Sequence, residues 1–165
     1  MFSEKEKLRK IIDLGVEMSG FRDVDMLLER ILTLARRFVN AEAGSIYIKE
    51  DNRLKFSYTQ NEVMQSKLPP GKKLPFSTFS IPVNNESISG YVAFTGEMLN
   101  IPDVYKLSGS TPYSFDRGYD DISGYRTQSV LTFPLKTSRG DILGVLQLIN
   151  AKDKKGRVKP FAKDD

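Results

Sequence analysis

The chain has 165 residues, of which 39% are hydrophobic and 28% charged, an ordinary balance for one globular domain. It contains no Cys and no His, which excludes disulfides, thiol nucleophiles, imidazole metal ligands and Ser-His-Asp triads. The net charge of +4 is scattered, so no nucleic-acid partner is expected. No apolar run approaches the ~20 residues that span a bilayer, and the N-terminus has no apolar signal core, so no membrane partner and a cytoplasmic location are expected.

Two amphipathic helices are predicted at the start of the chain. Apolar residues recur at helical spacing as far as Met18, so residues 1–20 are predicted to form a helix and connector. Its narrow stripe suits pairing with another helix, either in a second subunit or within the chain. A second helix is predicted from an Asp23 N-cap to Asn40, with one broad apolar face. That face comprises Leu27, Leu28, Ile31, Leu32, Ala35, Phe38 and Val39.

After the second helix the apolar period changes to two. Ser45–Ile48 alternate, a turn follows, and Leu54, Phe56 and Tyr58 then fall on one face, which predicts an antiparallel hairpin.

Further along, the pattern predicts shorter elements around one long loop. These are an edge strand at 79–83, a helix over Glu86–Phe94, an irregular aromatic-rich stretch at 106–123, and strands at 129–136 and 141–150. The fold class is therefore α+β, with a central antiparallel sheet flanked by helices.

Polar residues in apolar surroundings indicate a binding site. Gln147 lies among apolar residues of the last strand, so its amide is predicted either to meet a ligand or to be satisfied by neighbouring backbone or at an exposed edge. Asp120, Asp121, Ser123 and Thr127 follow the aromatic loop. They suit acid/base chemistry, a hard metal or a solvated turn, but with an apolar floor they favour small-molecule recognition.

The predicted helix after residue 86 supplies a further possibility. Its first turn contains Ser87 and Ser89, and the free N–H groups of a helix N-terminus bind anionic groups. Capping the helix is the commoner use of a serine at the position of Ser87.

Three stretches together resemble a GAF domain over roughly residue 23 to the C-terminus. They are SISGYVAFTGEMLNIPDVY, FDRGYDDISGYRTQSVLTFPLK and GDILGVLQLINAK. The similarity is greatest to the cyclic-nucleotide-binding GAF domains of phosphodiesterases and bacterial nucleotide cyclases. It implies a GAF sensor domain over 21–165 with a truncated C-terminal helix, and an N-terminal dimerisation helix.

The resemblance also implies the pocket contacts and the ligand. By position these contacts fall on Ser45, Thr59, Gln60, Ile88, Ser89, Asp116, Asp120, Ser123, Thr127 and Gln147. Such domains often have an aromatic at the position of Thr59 and an acid at that of Gln60, and these departures weaken cGMP without excluding cAMP. Stacking on the base would then fall to Phe115 or Tyr119. The absence of Cys and His excludes the bilin, haem and methionine-sulfoxide-reducing branches of the family.

The expected function is a non-enzymatic regulatory domain without a cofactor that binds cAMP first and cGMP second. We expect the loop 106–123 to close over the ligand, and a homodimer through terminal helices to signal to a C-terminal output domain such as a diguanylate cyclase or phosphodiesterase. The alternatives are a ligand-free GAF dimerisation scaffold, a binder of another small molecule, and a carboxylate enzyme that uses Asp120 and Asp121.

Overall fold

The structure is a computed structural model that describes residues 21–74 and 79–164, with side chains from Val24 onward. The helix predicted over residues 1–20 lies outside the described residues. Helix α1 runs through Phe21–Phe38. The predicted N-cap role of Asp23 is wrong, because the helix already includes Phe21.

Only part of the predicted apolar face of α1 packs against the protein. Leu28, Leu32 and Ala35 lie in the core. A second row is exposed and consists of Leu27, Ile31, Leu34 and Phe38. The helix therefore has a buried face and an adjacent apolar stripe without a cover among the described residues.

One antiparallel sheet forms the centre of the molecule. Its strands are β1 (Ala41–Glu50), β2 (Arg53–Asn61), β3 (Ser80–Pro82), β4 (Leu99–Ile101), β5 (Val130–Lys136), β6 (Ile142–Lys152) and β7 (Val158–Lys159). The order is β3-β2-β1-β6-β5-β4, with β7 paired to β6. The two predicted hairpins, β1–β2 and β5–β6, and the edge position of β3 are confirmed. The α+β class is likewise confirmed.

Short helices complete the fold. They are α2 (Glu62–Ser66), α3 (Ile88–Thr95), α4 (Gly118–Ser123) and a 3-10 turn at Val104–Lys106. The helix predicted over Glu86–Phe94 is α3, which begins two residues later and ends one residue later than predicted. The predicted irregular stretch 106–123 contains α4, which its weak periodicity did not indicate.

A β-bulge in β2 changes which side chains face the two sides of the sheet. Ile46 is opposite Tyr58 but Tyr47 is opposite Phe56, so Ser57 is the extra residue. Phe56 therefore packs on one side of the sheet and Tyr58 on the other, beside α1. The prediction that Leu54, Phe56 and Tyr58 share one face is wrong for Tyr58, because an inserted residue reverses the alternation.

Helix α3 lies close to the segment that precedes it. A Cβ on Gly90 would be 2.6 Å from the carbonyl oxygen of Pro82 and 2.8 Å from Ser87 Oγ. Ser87 accepts a hydrogen bond from the Gly90 N–H and caps the helix. Glycine is therefore required at this position by the close approach of two backbone segments.

Asn150 connects the central strand β6 to the segment before β5. It is buried, and its backbone φ of 57° lies in the left-handed region. Its amide donates to Tyr125 Oη and to the Arg126 carbonyl, each at 2.8 Å, and its Oδ1 accepts from the Gln128 N–H at 2.7 Å. Asparagine tolerates this backbone conformation and at the same time satisfies three neighbouring groups.

We expect Asn150→Ala to lower the free energy of unfolding by roughly 2–4 kcal/mol, because buried donors and acceptors lose their partners and alanine disfavours a positive φ. Urea denaturation measures the change. Asn150→Gly removes only the side-chain bonds, so it is expected to lie between Asn150→Ala and the wild type. Asn52→Ala, at an exposed turn, is the matched control. A loss below 1 kcal/mol in Asn150→Ala would contradict the structural role of this amide.

Candidate ligand-binding site

A cavity of about 620 Å³ lies between the sheet and the segments that cover it. The face of the sheet opposite α1 forms its floor, the N-terminal end of α3 forms the roof, and the segment around α4 forms a lid. All of the predicted contact residues border it: Ser45, Thr59, Gln60, Ile88, Ser89, Phe115, Asp116, Asp120, Ser123, Thr127 and Gln147. A volume of this order suits a small molecule.

Four polar residues form a row across the sheet, and three of them, Ser45, Thr59 and Gln147, border the cavity. In the register of the sheet Thr59 is opposite Ser45, Ser45 is opposite Gln147, and Gln147 is opposite Thr132. We call these four residues the polar row. Ser45 Oγ lies 3.2 Å from Thr59 Oγ1, and Gln147 Nε2 donates to Thr132 Oγ1 at 3.2 Å. Four strands thus contribute one side chain each to a single line across the apolar sheet.

Gln147 borders the cavity, and its amide has a partner that was not predicted, a side chain rather than the backbone. Its amide nitrogen is bonded to a neighbour in the sheet, while the half-buried side chain also borders the cavity beside Ile149. Among the described residues its Oε1 takes no hydrogen bond. The amide is therefore held in place on one side and open to a ligand on the other.

Gln60 differs from its predicted role. Its Oε1 accepts from Arg36 at 2.7 Å, and its Nε2 donates to Thr33 Oγ1 at 2.7 Å and to the Glu29 carbonyl at 3.2 Å. The bulge at Ser57 places Thr59 toward the cavity and Gln60 toward α1. Although Gln60 borders the cavity, its side-chain amide is committed to α1, so the prediction that it contacts the ligand's base is corrected.

The roof of the cavity is the first turn of α3. Ile88 and Ser89 are buried there, and the N–H groups of this turn are not used by the helix itself. Burial raises the pKa of Tyr47, below this turn, to about 12, and a hydrogen bond with Ser89 lowers it in part. The neutral phenol of Tyr47 thus joins the sheet to the roof.

The lid is held by a buried carboxylate. Asp120, at 6% exposure, accepts a hydrogen bond from Tyr105 Oη at 2.6 Å and from the Thr127 N–H and Oγ1, each at 2.8 Å. The hydrogen bond to this carboxylate raises the pKa of Tyr105. Asp120 and Thr127 were both predicted to contact the ligand, but in the structure they bond to each other, and Asp120 also accepts from Tyr105. Their bonds set the position of the lid.

Other predicted residues of the lid are placed around this anchor. Phe115 packs edge-on against Tyr105, with ring centroids 5.4 Å apart, and borders the cavity. The side chains of Asp116 and Ser123 accept hydrogen bonds from the N–H groups of Gly118 and Tyr125 and stabilise turns. Phe115 is therefore available to an aromatic ligand, while Asp116 and Ser123 also shape the loop.

A second anchor of the lid was not predicted. Tyr125 Oη donates to Glu42 Oε2 at 2.6 Å and accepts from Asn150. Burial, with a smaller effect from the Glu42 carboxylate, raises the pKa of Tyr125. Asn150 carries the same signal as Gln147, a polar residue in an apolar strand. The role of Glu42 could not be predicted, because an acidic residue near the start of a strand is common and does not indicate a particular partner.

The described residues that line the cavity carry negative charges and no positive one. Among the described residues that border it there are three carboxylates, Glu86, Asp116 and Asp120, and no Lys or Arg. Within residues 21–74 and 79–164, no cluster of three or more acidic side chains could hold a metal ion. No helix in those ranges is long and apolar enough to cross a membrane.

The chain is an α+β domain with an antiparallel sheet, a helix on one side of it and a cavity on the other. The sequence model of the GAF domain family matches residues 23–165. The chain therefore belongs to the GAF domain family.

Relatives of known sequence and structure agree with this assignment. Over 63 residues the chain is 44% identical to dual 3′,5′-cyclic-AMP and -GMP phosphodiesterase 11 of Drosophila melanogaster, a match that covers 38% of this chain and 4% of that protein. The GAF domain of a Coxiella burnetii phosphoenolpyruvate-protein phosphotransferase superposes with a TM-score of 0.58 at 18% identity, covering 98% of this chain and 85% of that one.

A third relative carries the name of an enzyme. The type II free methionine-R-sulfoxide reductase of Thermoplasma acidophilum gives a TM-score of 0.58 at 13% identity and covers 87% of this chain and 82% of that one. At these low identities the structural likeness establishes the fold alone.

We expect Asp120→Asn to loosen the lid, because an amide offers only one acceptor oxygen and its NH₂ group would meet the donors of Tyr105 and Thr127. Amide hydrogen exchange over residues 118–127 is expected to be about tenfold faster or more. Asp121→Asn, at the exposed neighbouring position, is the control and should leave exchange unchanged. Equal exchange in wild type and Asp120→Asn would show that this carboxylate does not hold the lid.

Proposed function

We propose that this domain is a non-enzymatic regulatory sensor of cyclic nucleotides, with cAMP as the preferred ligand and cGMP second. The observation that carries the proposal is the cavity itself: a helix N-terminus at its roof, a polar row on its floor and an aromatic lid. A cyclic nucleotide needs a group for its phosphate, polar partners for its base and an apolar surface for stacking. The cavity has one region for each.

The roof of the cavity suits a phosphate group with a single negative charge. The N-terminal end of α3 provides N–H groups and the positive end of the helix dipole, which favour an anion. No described lining residue supplies a cationic side chain, and Glu86 and Asp116 border the cavity. A cyclic phosphate diester carries a single negative charge, whereas AMP carries nearly two at neutral pH. We therefore propose that the site selects the cyclic diester over AMP.

The floor and the lid of the cavity suit a purine base. Gln147 Oε1 takes no hydrogen bond among the described residues and borders the cavity, so it can accept from the exocyclic amine of adenine. Phe115 provides an aromatic ring on the lid, where it borders the cavity. The similarity to a phosphodiesterase named for both cyclic AMP and cyclic GMP supports the same ligand class.

Regulation would follow from closure of the lid on the ligand. The lid is tied through Tyr125 and Asn150 to strand β6, and Ser129 beside Asn150 donates to the carbonyl of Lys159 in β7. A ligand that stabilises the closed lid would favour one arrangement of these contacts, and so of the chain leading to an output domain. We propose a cyclase or phosphodiesterase as the class of that output domain, and a cytoplasmic location.

Calorimetric titration with cAMP, cGMP and AMP tests the proposal. We expect micromolar or tighter binding of cAMP, about −8 kcal/mol or better, with AMP at least tenfold weaker. Hydrogen exchange over residues 106–123 should slow when the site is saturated with cAMP. Absence of heat with every nucleotide would contradict the proposal and favour the scaffold function.

We further propose that a second copy of the chain covers the apolar stripe of α1. Leu27, Ile31, Leu34 and Phe38 recur at intervals of four, three and four residues, which is the spacing of a coiled-coil seam. Four large apolar side chains in a continuous exposed row are uncommon on a monomer. The same helix packs its other face on the sheet, so a dimer through α1 would connect the two sensors directly.

Sedimentation velocity tests the dimer with two matched substitutions. Leu34→Lys places a charge in the middle of the stripe, where Leu34 is 57% exposed, and is expected to weaken dimerisation at least tenfold. Met98→Lys introduces the same charge at a residue that is 53% exposed and lies outside the stripe. A monomeric wild type, or equal dimerisation of both variants, would show that something other than a second copy covers the stripe.

A further inference from the structure

The direction of one hydrogen bond in the polar row can be deduced from its neighbours. Thr59 Oγ1 donates to the Gly44 carbonyl at 3.1 Å. A hydroxyl has a single hydrogen, so Thr59 cannot also donate to Ser45. Since Ser45 Oγ and Thr59 Oγ1 are 3.2 Å apart, Ser45 must be the donor of their hydrogen bond. The Ser45 hydrogen is therefore directed along the sheet, and only the lone pairs of its oxygen remain for a ligand.

The neighbouring member of the row has the same polarity on its open side. Gln147 Nε2 donates to Thr132 Oγ1, and among the described residues its Oε1 has no donor. Ser45 and Gln147 are directly opposite each other on adjacent strands, and both border the cavity. Two residues at directly opposed positions of the floor thus each present an acceptor oxygen. A ligand that presents a donor there satisfies them, whereas a ligand that presents a carbonyl oxygen is opposed by lone pairs.

We infer that Thr59 determines the specificity of the site without contacting the base, by holding the Ser45 hydroxyl as an acceptor. The inference rests on the proposed function and deepens it. Ligands that present a donor and ligands that present an acceptor differ at position 6 of the purine. Adenine has an amine there, which donates, whereas guanine and hypoxanthine have a carbonyl, which accepts. Thr59 is accordingly a positioning residue, and Ser45 is the group that contacts the ligand.

A substitution at Thr59 should therefore change the preference for a group that Thr59 does not touch. Thr59→Val removes the hydroxyl but retains the β-branched shape suited to a strand. Ser45 then loses its acceptor, and its hydrogen can turn into the cavity toward a carbonyl oxygen. Thr59→Ser retains a hydroxyl and the same pattern of bonds. The two variants therefore separate the direction of the hydrogen from any general change in the strand.

The experiment compares 3′,5′-cyclic AMP with 3′,5′-cyclic IMP, in which a carbonyl replaces the amine of the base. We expect wild type and Thr59→Ser to prefer cyclic AMP by about tenfold or more, and Thr59→Val to lose most of this preference, with calorimetry giving both Kd values. Circular dichroism melting confirms that each variant is folded, and Thr59→Ala replaces Thr59→Val if the latter is not.

The possible results distinguish the two proposals. Binding of cyclic AMP by wild type, with a ratio of the two Kd values that is unchanged in Thr59→Val, would overturn the role of Thr59 and leave the cyclic-nucleotide function intact. A wild type that binds neither compound would overturn both proposals. A ratio that falls in Thr59→Val and is restored in Thr59→Ser would establish the inference.

Discussion

The hydrogen bonds to the buried carboxylate of Asp120 hold the lid in place, and the cavity exists only because the lid is held there. A carboxylate removed from water is unfavourable unless donors surround it, and here Tyr105 and Thr127 supply three. Those bonds fix the segment around α4 above the sheet, and only with that segment in place is the space below it a cavity rather than an open groove. An acidic residue that looks like a candidate for acid/base chemistry or ligand binding thus acts first as the attachment point of a lid.

A single extra residue, Ser57, has a comparable influence on the floor. Without the bulge, the alternation of β2 would carry the side chain of Tyr58 toward the cavity and that of Thr59 toward α1. With it, Thr59 joins the polar row opposite Ser45, and Gln60 is bonded to Arg36 and Thr33 on α1. The bulge therefore decides which of two adjacent polar residues can influence a ligand, and it does so by geometry rather than by chemistry.

The two faces of the sheet serve different purposes, and β6 connects them. One face packs against α1, whose remaining apolar stripe is exposed, and the other face lines the cavity. At the end of β6, Asn150 bonds to the lid segment, while the adjacent Ser129 bonds to β7. A change at the lid is thus connected by short hydrogen bonds to the last strand of the described chain. Such a connection is what a sensor domain needs, because a ligand can shift an equilibrium only through contacts that differ between its two states.

Periodicity, turn chemistry and collinear motifs were sufficient to predict the α+β class, the two hairpins, the family and the residues that border the cavity. The orientation of Gln60, the splitting of the apolar face of α1 and the anchoring role of Asp120 were decided only by the tertiary structure. Each depends on which group lies opposite in space: a bulge reverses Tyr58, Leu27 finds no covering element among the described residues, and Tyr105 approaches Asp120 from another segment. Local pattern records which residues are polar or apolar. It does not record which partner each one meets, because that partner is distant in the chain.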